Sequence, residues 1–208
     1  MQQPTGLVLA GGRGSRMGGV DKGLQPFDGV PLALHALRRL RLQLDGVAIN
    51  ANRHFDDYAA FGAPVWPDDV EGRPGPLAGF LSALVRCPTP WLLTVPCDTP
   101  HFPSDLAERM TAALASSPDA EIVVAAAPEP DRDSVIALRA QPVFCLLSRS
   151  LHDSLADFVA RGGRKIDAWT ARHRTVTVAF DRPGDDPDAF ANANTLAELA
   201  ALEGRVRP

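Results

Sequence analysis

Cysteine is scarce in this chain. Three occur in 208 residues, at positions 87, 97 and 145, far apart, odd in number and never in a Cys-x-x-Cys pair. That excludes a disulfide framework and is the usage expected of reduced thiols in a cytoplasm. Long apolar runs are absent: none approaches the ~20 residues that a membrane span needs. The opening Met-Gln-Gln-Pro-Thr lacks a basic stretch and leads straight into a strand, so no signal peptide is expected. Positive charge is not in excess. Lys and Arg total 21 against 25 Asp and Glu, a net charge of −4, which argues against a nonspecific nucleic-acid or membrane-surface binder. The five histidines (35, 54, 101, 152, 173) show no metal-ligand spacing. Cys97 and His101 are four apart, but Asp98-Thr99-Pro100 between them does not suit a helical metal pair. Repeats and low-complexity tracts are missing too. What is present is an ordinary globular composition, 45% apolar and 22% charged, at a length that suits one domain with a substantial core.

Glycine, by contrast, is concentrated. The run Gly6-Leu7-Val8-Leu9-Ala10 reads as a short buried strand, and it opens into a loop with glycines at 11, 12, 14, 18, 19 and 23. Three cations, Arg13, Arg16 and Lys22, sit among them. Glycines let backbone N–H groups approach an anion without a Cβ in the way, and Arg and Lys neutralise what the backbone cradles. This is the chemistry of a phosphate site large enough for a nucleoside triphosphate. A dinucleotide fingerprint would need Gly at position 17, which is Met, and an acid ending the second strand, where Asn50 stands. A Walker loop needs Gly-Lys followed by Ser or Thr, whereas Lys22 lies between Asp21 and Gly23. What remains resembles the nucleotidyltransferase signature, a Leu-Ala-Gly-Gly start, an Arg-Met pair and a following Lys.

The order of elements predicts an α/β fold. Pro31 suits the first turn of a helix whose apolar face is Ala33, Leu37, Leu40 and Leu44, with Arg38, Arg39 and Arg41 read as a solvated face. Val47–Asn50 follows as a strand, His54–Phe61 as a short helix, Pro64–Pro67 as a strand and Leu77–Val85 as a helix. Trp91–Val95 is a further buried strand ended by Pro96, and Ser104 is expected to cap a helix to about Ser116. This alternation predicts a Rossmann-like three-layer α/β/α sandwich on a mostly parallel sheet. The C-terminal part reads as mixed. Strands are expected at Glu121–Ala127, Val135–Arg139 and Thr175–Phe180, and Pro142–Leu146 reads as a strand or the start of a helix. Helices are expected at Leu151–Ala160, Lys165–His173 and Thr195–Leu202, with Pro128–Asp133 an exposed, mobile loop.

In an open α/β sheet, ligands bind beyond the carboxyl ends of the strands. Four such ends are polar here: the glycine loop, Asn50-Ala51-Asn52-Arg53, Asp68-Asp69 followed by Pro74–Gly79, and Pro96-Cys97-Asp98-Thr99-Pro100. Asp98, held between prolines, is the carboxylate best suited to Mg²⁺, which takes one or two carboxylates with phosphate oxygens and water. Either Asp68 or Asp69 could face the site, and Asn50 reads equally as a ligand or a strand-end turn residue.

Together these residues resemble the molybdenum cofactor guanylyltransferase (MobA) family. The resemblance rests on Leu9–Leu24, Asn50–Arg53, Gly75–Gly79, Pro96–Pro100 and Asn192-Ala193-Asn194-Thr195, and spans nearly the whole chain. It implies a single nucleotidyltransferase domain over 1–208, with a nucleotide-binding half of about 1–117 and an acceptor half of about 118–208. The implied reaction transfers GMP from GTP to molybdopterin, the molybdenum cofactor, with release of pyrophosphate. Leu9, Ala10, Gly11, Lys22, Asn50, Asp68 and Asp98 are the implied nucleotide residues, with Mg²⁺ on Asp98. Arg16, Lys22 and Asp98 are the implied catalytic residues, and Gly19, Lys165, Asn192 and Asn194 the acceptor residues. Two positions depart from the family's usual pattern. Thr195 is followed by Leu196 rather than Pro, and Lys165 stands where paired arginines are common. The acceptor's phosphate is already an anionic nucleophile, so no Ser–His pair is needed, and none is evident. A monomer is expected, with GTP and the pterin as small-molecule partners, no nucleic acid or membrane, and proteins that deliver or receive the cofactor. The competing readings are a cytidylyl- or sugar-phosphate nucleotidyltransferase and a non-catalytic nucleotide-binding module.

Overall fold

A computed structural model describes residues 2–11, 20–69, 75–130, 136–193 and 195–203. Its centre is a seven-stranded sheet in the order β5-β4-β1-β6-β8-β7-β9. The strands are β1 (Thr5–Leu9), β4 (Val47–Asn50), β5 (Val65–Trp66), β6 (Trp91–Pro96), β7 (Ile122–Pro130), β8 (Ile136–Ser148) and β9 (Thr175–Ala179). β8 runs antiparallel to its neighbours β6 and β7, and the other pairings are parallel.

Helices cover both faces, as the α/β/α reading requires. The first face carries α1 (Leu32–Arg41), α2 (Phe55–Ala59) and α4 (Leu106–Ala115). The second carries α3 (Pro76–Arg86), α5 (His152–Ala160) and α6 (Ile166–Thr170). Because a strand turns successive side chains to opposite faces, each buried strand feeds two cores. Leu7, Ala48, Leu92 and Ile122 join the second core, while their neighbours Val8, Ile49, Leu93 and Val123 join the first. The expected apolar face of α1 is buried: Ala33, Leu37 and Leu40 have no exposed surface and Leu44 retains 4%. Truncating Leu37 or Leu40 to Ala should cost ~2–5 kcal/mol. No helix among the described residues is long and apolar enough to cross a membrane.

Several expectations need correction. Of the arginines of α1, Arg39 is not simply solvated: it is half-buried and donates to the Phe102 carbonyl, whereas Arg38 and Arg41 are exposed, Arg41 also donating to the carbonyls of Phe61 and Gly62. Ser104 does not cap α4. The Pro103 carbonyl takes the Leu106 N–H in a turn that absorbs Ser104, so Asp105 holds the cap position and its carbonyl accepts from Arg109. The expected loop from Pro128 is strand through Pro130, the end of β7, and residues 131–133 lie outside those described. The two expected pieces around Val135–Arg139 and Pro142–Leu146 are one strand, β8. Its pairing with β7 jumps from Val124↔Cys145 to Ala125↔Gln141, so Pro142, Val143 and Phe144 bulge out of register. Proline has no N–H for a ladder, which is why the break falls there.

One element was missed. Pro26–Phe27 (β2) and Val30–Pro31 (β3) form a hairpin around Asp28 and Gly29, at φ 47° and 74°. An Asp-Gly pair with both φ positive is the two-residue turn that hairpins favour. The C-terminal helix α7 (Leu196–Glu203) packs Leu199 and Leu202 against Phe27 and Leu32 there. Glu203 also accepts the Asp28 N–H at 2.8 Å.

Candidate functional site

The carboxyl ends of β1, β4, β5 and β6 lie side by side, and a cavity of about 440 Å³ opens at them. Leu9, Ala10, Gly11, Lys22, Asn50, Asp68 and Asp98 all line it, as does Asn192. The backbone builds this floor directly: Ala10 N–H donates to Asn50 O at 2.8 Å, and Cys97 N–H to Leu9 O at 3.1 Å. Two glycines allow the close approach. A Cβ at Gly11 would meet Asn52 Nδ2 at 2.7 Å and Asn50 Oδ1 at 2.9 Å. One at Gly79 of α3 would meet Asn50 Oδ1 and Leu9 Cδ2, each at 2.6 Å.

The open choice between Asp68 and Asp69 is resolved by their partners. Asp68 lines the cavity, with Oδ1 accepting from Asn50 Nδ2 at 2.9 Å and Oδ2 from Asn52 Nδ2 at 2.8 Å. Its own N–H donates to Asn52 Oδ1 at 2.8 Å, so backbone and carboxylate are both tied, by three hydrogen bonds to two asparagines. Asp69 instead makes a two-pronged pair with Arg86 at 2.5 and 2.7 Å, and its N–H donates to Ser82 Oγ. The Arg86 guanidinium holds the Asp69 carboxyl below the usual carboxylate range. Asn50 is buried and also donates to the Trp66 carbonyl at 2.9 Å, so it organises the strand ends rather than ending a turn.

Across the cavity, Lys22 Nζ meets Asp98 Oδ2 at 2.5 Å, joining the returning glycine loop to the end of β6. Asn192 reaches the same corner. Its Oδ1 accepts from Thr99 Oγ1 at 2.5 Å, and the neighbouring Ala193 N–H donates to Asp98 O at 3.0 Å. Lys165 is placed elsewhere: it is exposed at the start of α6 and does not line the cavity. Arg13, Arg16, Gly19 and Asn194 lie outside the described residues.

Sequence reasoning missed the far wall. Gln141 and the bulge Pro142–Phe144 also line the cavity, together with Gly75 and Pro76 at the start of α3, which the sequence had already placed at a strand end. The bulge left no local signal beyond a proline in an apolar run. Also missed was the support behind Lys22. Asp21 is 5% exposed and accepts from Gly23 N–H at 3.1 Å, Tyr58 Oη at 2.6 Å and Arg53 Nε at 3.0 Å. Cys97 lines the cavity; burial foremost, and then the Asp98 charge, push its thiol up.

Tyr58 gives a pH prediction. Burial first, and then donation to Asp21, push its phenol far above the ordinary range. In the unfolded chain it ionises near pH ~10. Its protonated form therefore adds stability that is fully present below that pH and declines as pH rises beyond it. As the chain has one tyrosine, its phenolate absorbance should emerge only together with loss of the near-UV dichroism. A smooth phenol titration near pH ~10 with the fold intact would overturn this assignment.

The arrangement combines a fixed carboxylate, a lysine and a second carboxylate at the mouth of one cavity. Among the described residues no group of three or more His, Cys, Asp or Glu could cage a metal by itself. The chemistry of the donor set suits an ion such as Mg²⁺, which keeps most of its shell as water and substrate phosphate.

The MobA-like NTP transferase domain matches residues 6–204. A protein of Acidovorax ebreus named molybdenum cofactor guanylyltransferase is 64% identical over 201 residues, covering 96% of this chain and 95% of its own length. One of Bordetella pertussis with the same name is 53% identical, with 96% of each covered. Among solved structures, the molybdopterin-guanine dinucleotide biosynthesis protein A of Archaeoglobus fulgidus superposes with a TM-score of 0.74 at 19% identity, over 96% of both chains. A CMP:2-keto-3-deoxy-manno-octonic acid synthetase complexed with CTP superposes at 0.70 and 15% identity, over 96% of both chains. At such identities the two superpositions show a shared fold.

Proposed function

The chain belongs to the MobA-like NTP transferase family, and from that premise we propose that it is a molybdenum cofactor guanylyltransferase. It transfers GMP from GTP to molybdopterin. An oxygen of the acceptor's phosphate forms a bond to the α-phosphorus of GTP, the bond from that phosphorus to the β-phosphate oxygen breaks, and pyrophosphate leaves. The observation that carries this reading is the convergence of Leu9, Ala10, Gly11, Lys22, Asn50, Asp68 and Asp98 on one cavity at the sheet's carboxyl edge.

The roles follow from the chemistry of each group. Asp68, fixed by Asn50 and Asn52, presents an acceptor to a base rich in N–H donors, and guanine offers N1–H and N2–H₂. The backbone from Leu9 to Gly11 takes the base and ribose. Lys22 neutralises the triphosphate. The remaining obstacle is repulsion between two anions and growing charge on pyrophosphate, and cations at the α-phosphate answer both. Asp98 would hold Mg²⁺, which when bound supplies further positive charge at the reacting phosphates. Asn192 lines the same cavity, and in this proposal it serves the acceptor, a role that the family resemblance also gives to Asn194, Gly19 and Arg16. For Lys165 the proposal rests on the family resemblance alone.

The test is thermal stabilisation by GTP, CTP, ATP and UTP, each with Mg²⁺. GTP at ~100 times its Kd should stabilise by ~2.7 kcal/mol and raise Tm by about 5–10 °C, with the others well behind. Equal shifts for all four would sink the guanine assignment and leave the transferase class standing. A larger shift with CTP would favour a cytidylyltransferase.

A further inference from the structure

The one tyrosine of the chain stands behind the lysine loop, not in the cavity. Tyr58 lies on α2 with no exposed surface. Its hydroxyl donates to Asp21 Oδ1 at 2.6 Å, the same oxygen that accepts the Gly23 N–H at 3.1 Å. Arg53 reaches in from the β4–α2 connection, donating from Nε to Asp21 Oδ2 at 3.0 Å and from a terminal nitrogen to Val20 O at 3.2 Å. Residues 20, 21 and 23 are thus each held, and Lys22 is between them. Gly23 is pressed into place as well. A Cβ there would overlap Tyr58 Oη and come within 3.2 Å of Ala10 Cβ and 3.3 Å of Ala33 Cβ. The loop is therefore seated on the end of β1, the same segment that floors the cavity.

Asp21 adjoins Lys22 in sequence, yet it does not line the cavity, and its oxygens are spent on Tyr58, Arg53 and Gly23. A buried carboxylate is costly unless its lone pairs are satisfied, so these donors have one plain duty: to make Asp21 tolerable. Two observations point to a second duty. The contacts bracket a single residue, and that residue's ammonium lands on Asp98, a carboxylate 76 positions away on another loop. A lysine is a point charge on a flexible four-carbon stem, so its aim depends on how firmly its backbone is held. We propose that Tyr58, acting through Asp21 and together with Arg53, is a positioning residue that aims Lys22 at the reacting phosphates. This rests on the reading of Lys22 as a phosphate-binding residue.

Lys22 and Lys165 are the only lysines, so ¹³Cε-lysine NMR of the nucleotide-free protein gives two resonances, assigned with Lys22→Ala. In the wild type the Lys22 resonance should stand apart from that of exposed Lys165, because Lys22 is held on Asp98. Tyr58→Phe keeps the ring and its edge contact with Phe61, and should move the Lys22 resonance toward the Lys165 position. Arg53→Ala, altering a side chain 35% exposed, should do so to a lesser degree, and it carries the test if Tyr58→Phe fails to fold. Leu114→Ala, a cavity in α4, should lower Tm and leave the Lys22 resonance in place. In pyrophosphate release from GTP with molybdopterin as acceptor, Tyr58→Phe should lower kcat about tenfold in the wild type and less than about twofold in a Lys22→Ala background. An unmoved Lys22 resonance in both clamp variants, or losses that multiply across the two backgrounds, would overturn the proposal. A wild-type protein that releases no pyrophosphate from GTP with molybdopterin present would sink the guanylyl-transfer reading instead, while the NMR arm still decides the clamp.

Discussion

Asp98→Ala should lower Mg²⁺-dependent turnover by about 10²–10³-fold or more while leaving the fold nearly as stable as the wild type. The side chain is 19% exposed, lines the cavity and pairs with Lys22 rather than packing into the core. A partly exposed ion pair is worth about 0–1 kcal/mol after solvent screening, so Tm should move by a few degrees at most. Turnover is another matter. The carboxylate that would hold the metal is gone, and Lys22 loses the group that fixes it in the unliganded protein. Asp98→Asn sharpens the test, since it keeps the shape and removes the charge. Single-turnover pyrophosphate release and thermal melts on both variants are sufficient. Near-normal turnover in either one would make Asp98 an ordinary loop residue.

The second large effect separates two cations of the glycine loop. Lys22→Ala should weaken GTP binding by about 10–100-fold, the worth of one charge-assisted hydrogen bond to phosphate, and should slow turnover as well. Arg16→Ala should leave GTP affinity largely intact and depress turnover once the pterin acceptor is present, as expected of an interaction made mainly in the transition state. Lys22 already lines the cavity, against Asp98. Calorimetric titration with GTP, set beside single-turnover rates, distinguishes the two. Equal losses of GTP affinity would refute the division of labour and make both residues plain triphosphate clamps.

These two predictions draw on residues that were legible before any coordinates, because strand ends carry their own signal. A buried parallel strand is a short apolar run, and the polar residue that stops it is where the chain leaves the sheet. Asn50, Asp68 and Asp98 are stops of this kind, Leu9–Gly11 is where β1 gives way to the glycine loop, and the strand order β5-β4-β1-β6 sets all four ends side by side. Local periodicity also gave α1 its buried face and β4 its bounds, since both depend on residues a few positions apart.

What local pattern could not supply is anything decided by a partner far along the chain. Asp68 and Asp69 are chemically identical in sequence, and only Asn52 for one and Arg86 for the other tell them apart. The far wall exists because β8 loses register at Pro142 against a strand that precedes it in sequence, and a bulge is a property of two strands together. The Asp21 clamp needs Tyr58 and Arg53, which are 37 and 32 positions away. By itself, then, the sequence determined the fold class, the order of the strands' polar ends and the cationic glycine loop, because hydrophobic period and loop chemistry act over a few residues. The tertiary structure alone decided which carboxylate faces the cavity, what closes its far side and what holds Lys22, because hydrogen bonds and ladder register join residues that only folding brings within 3 Å of each other.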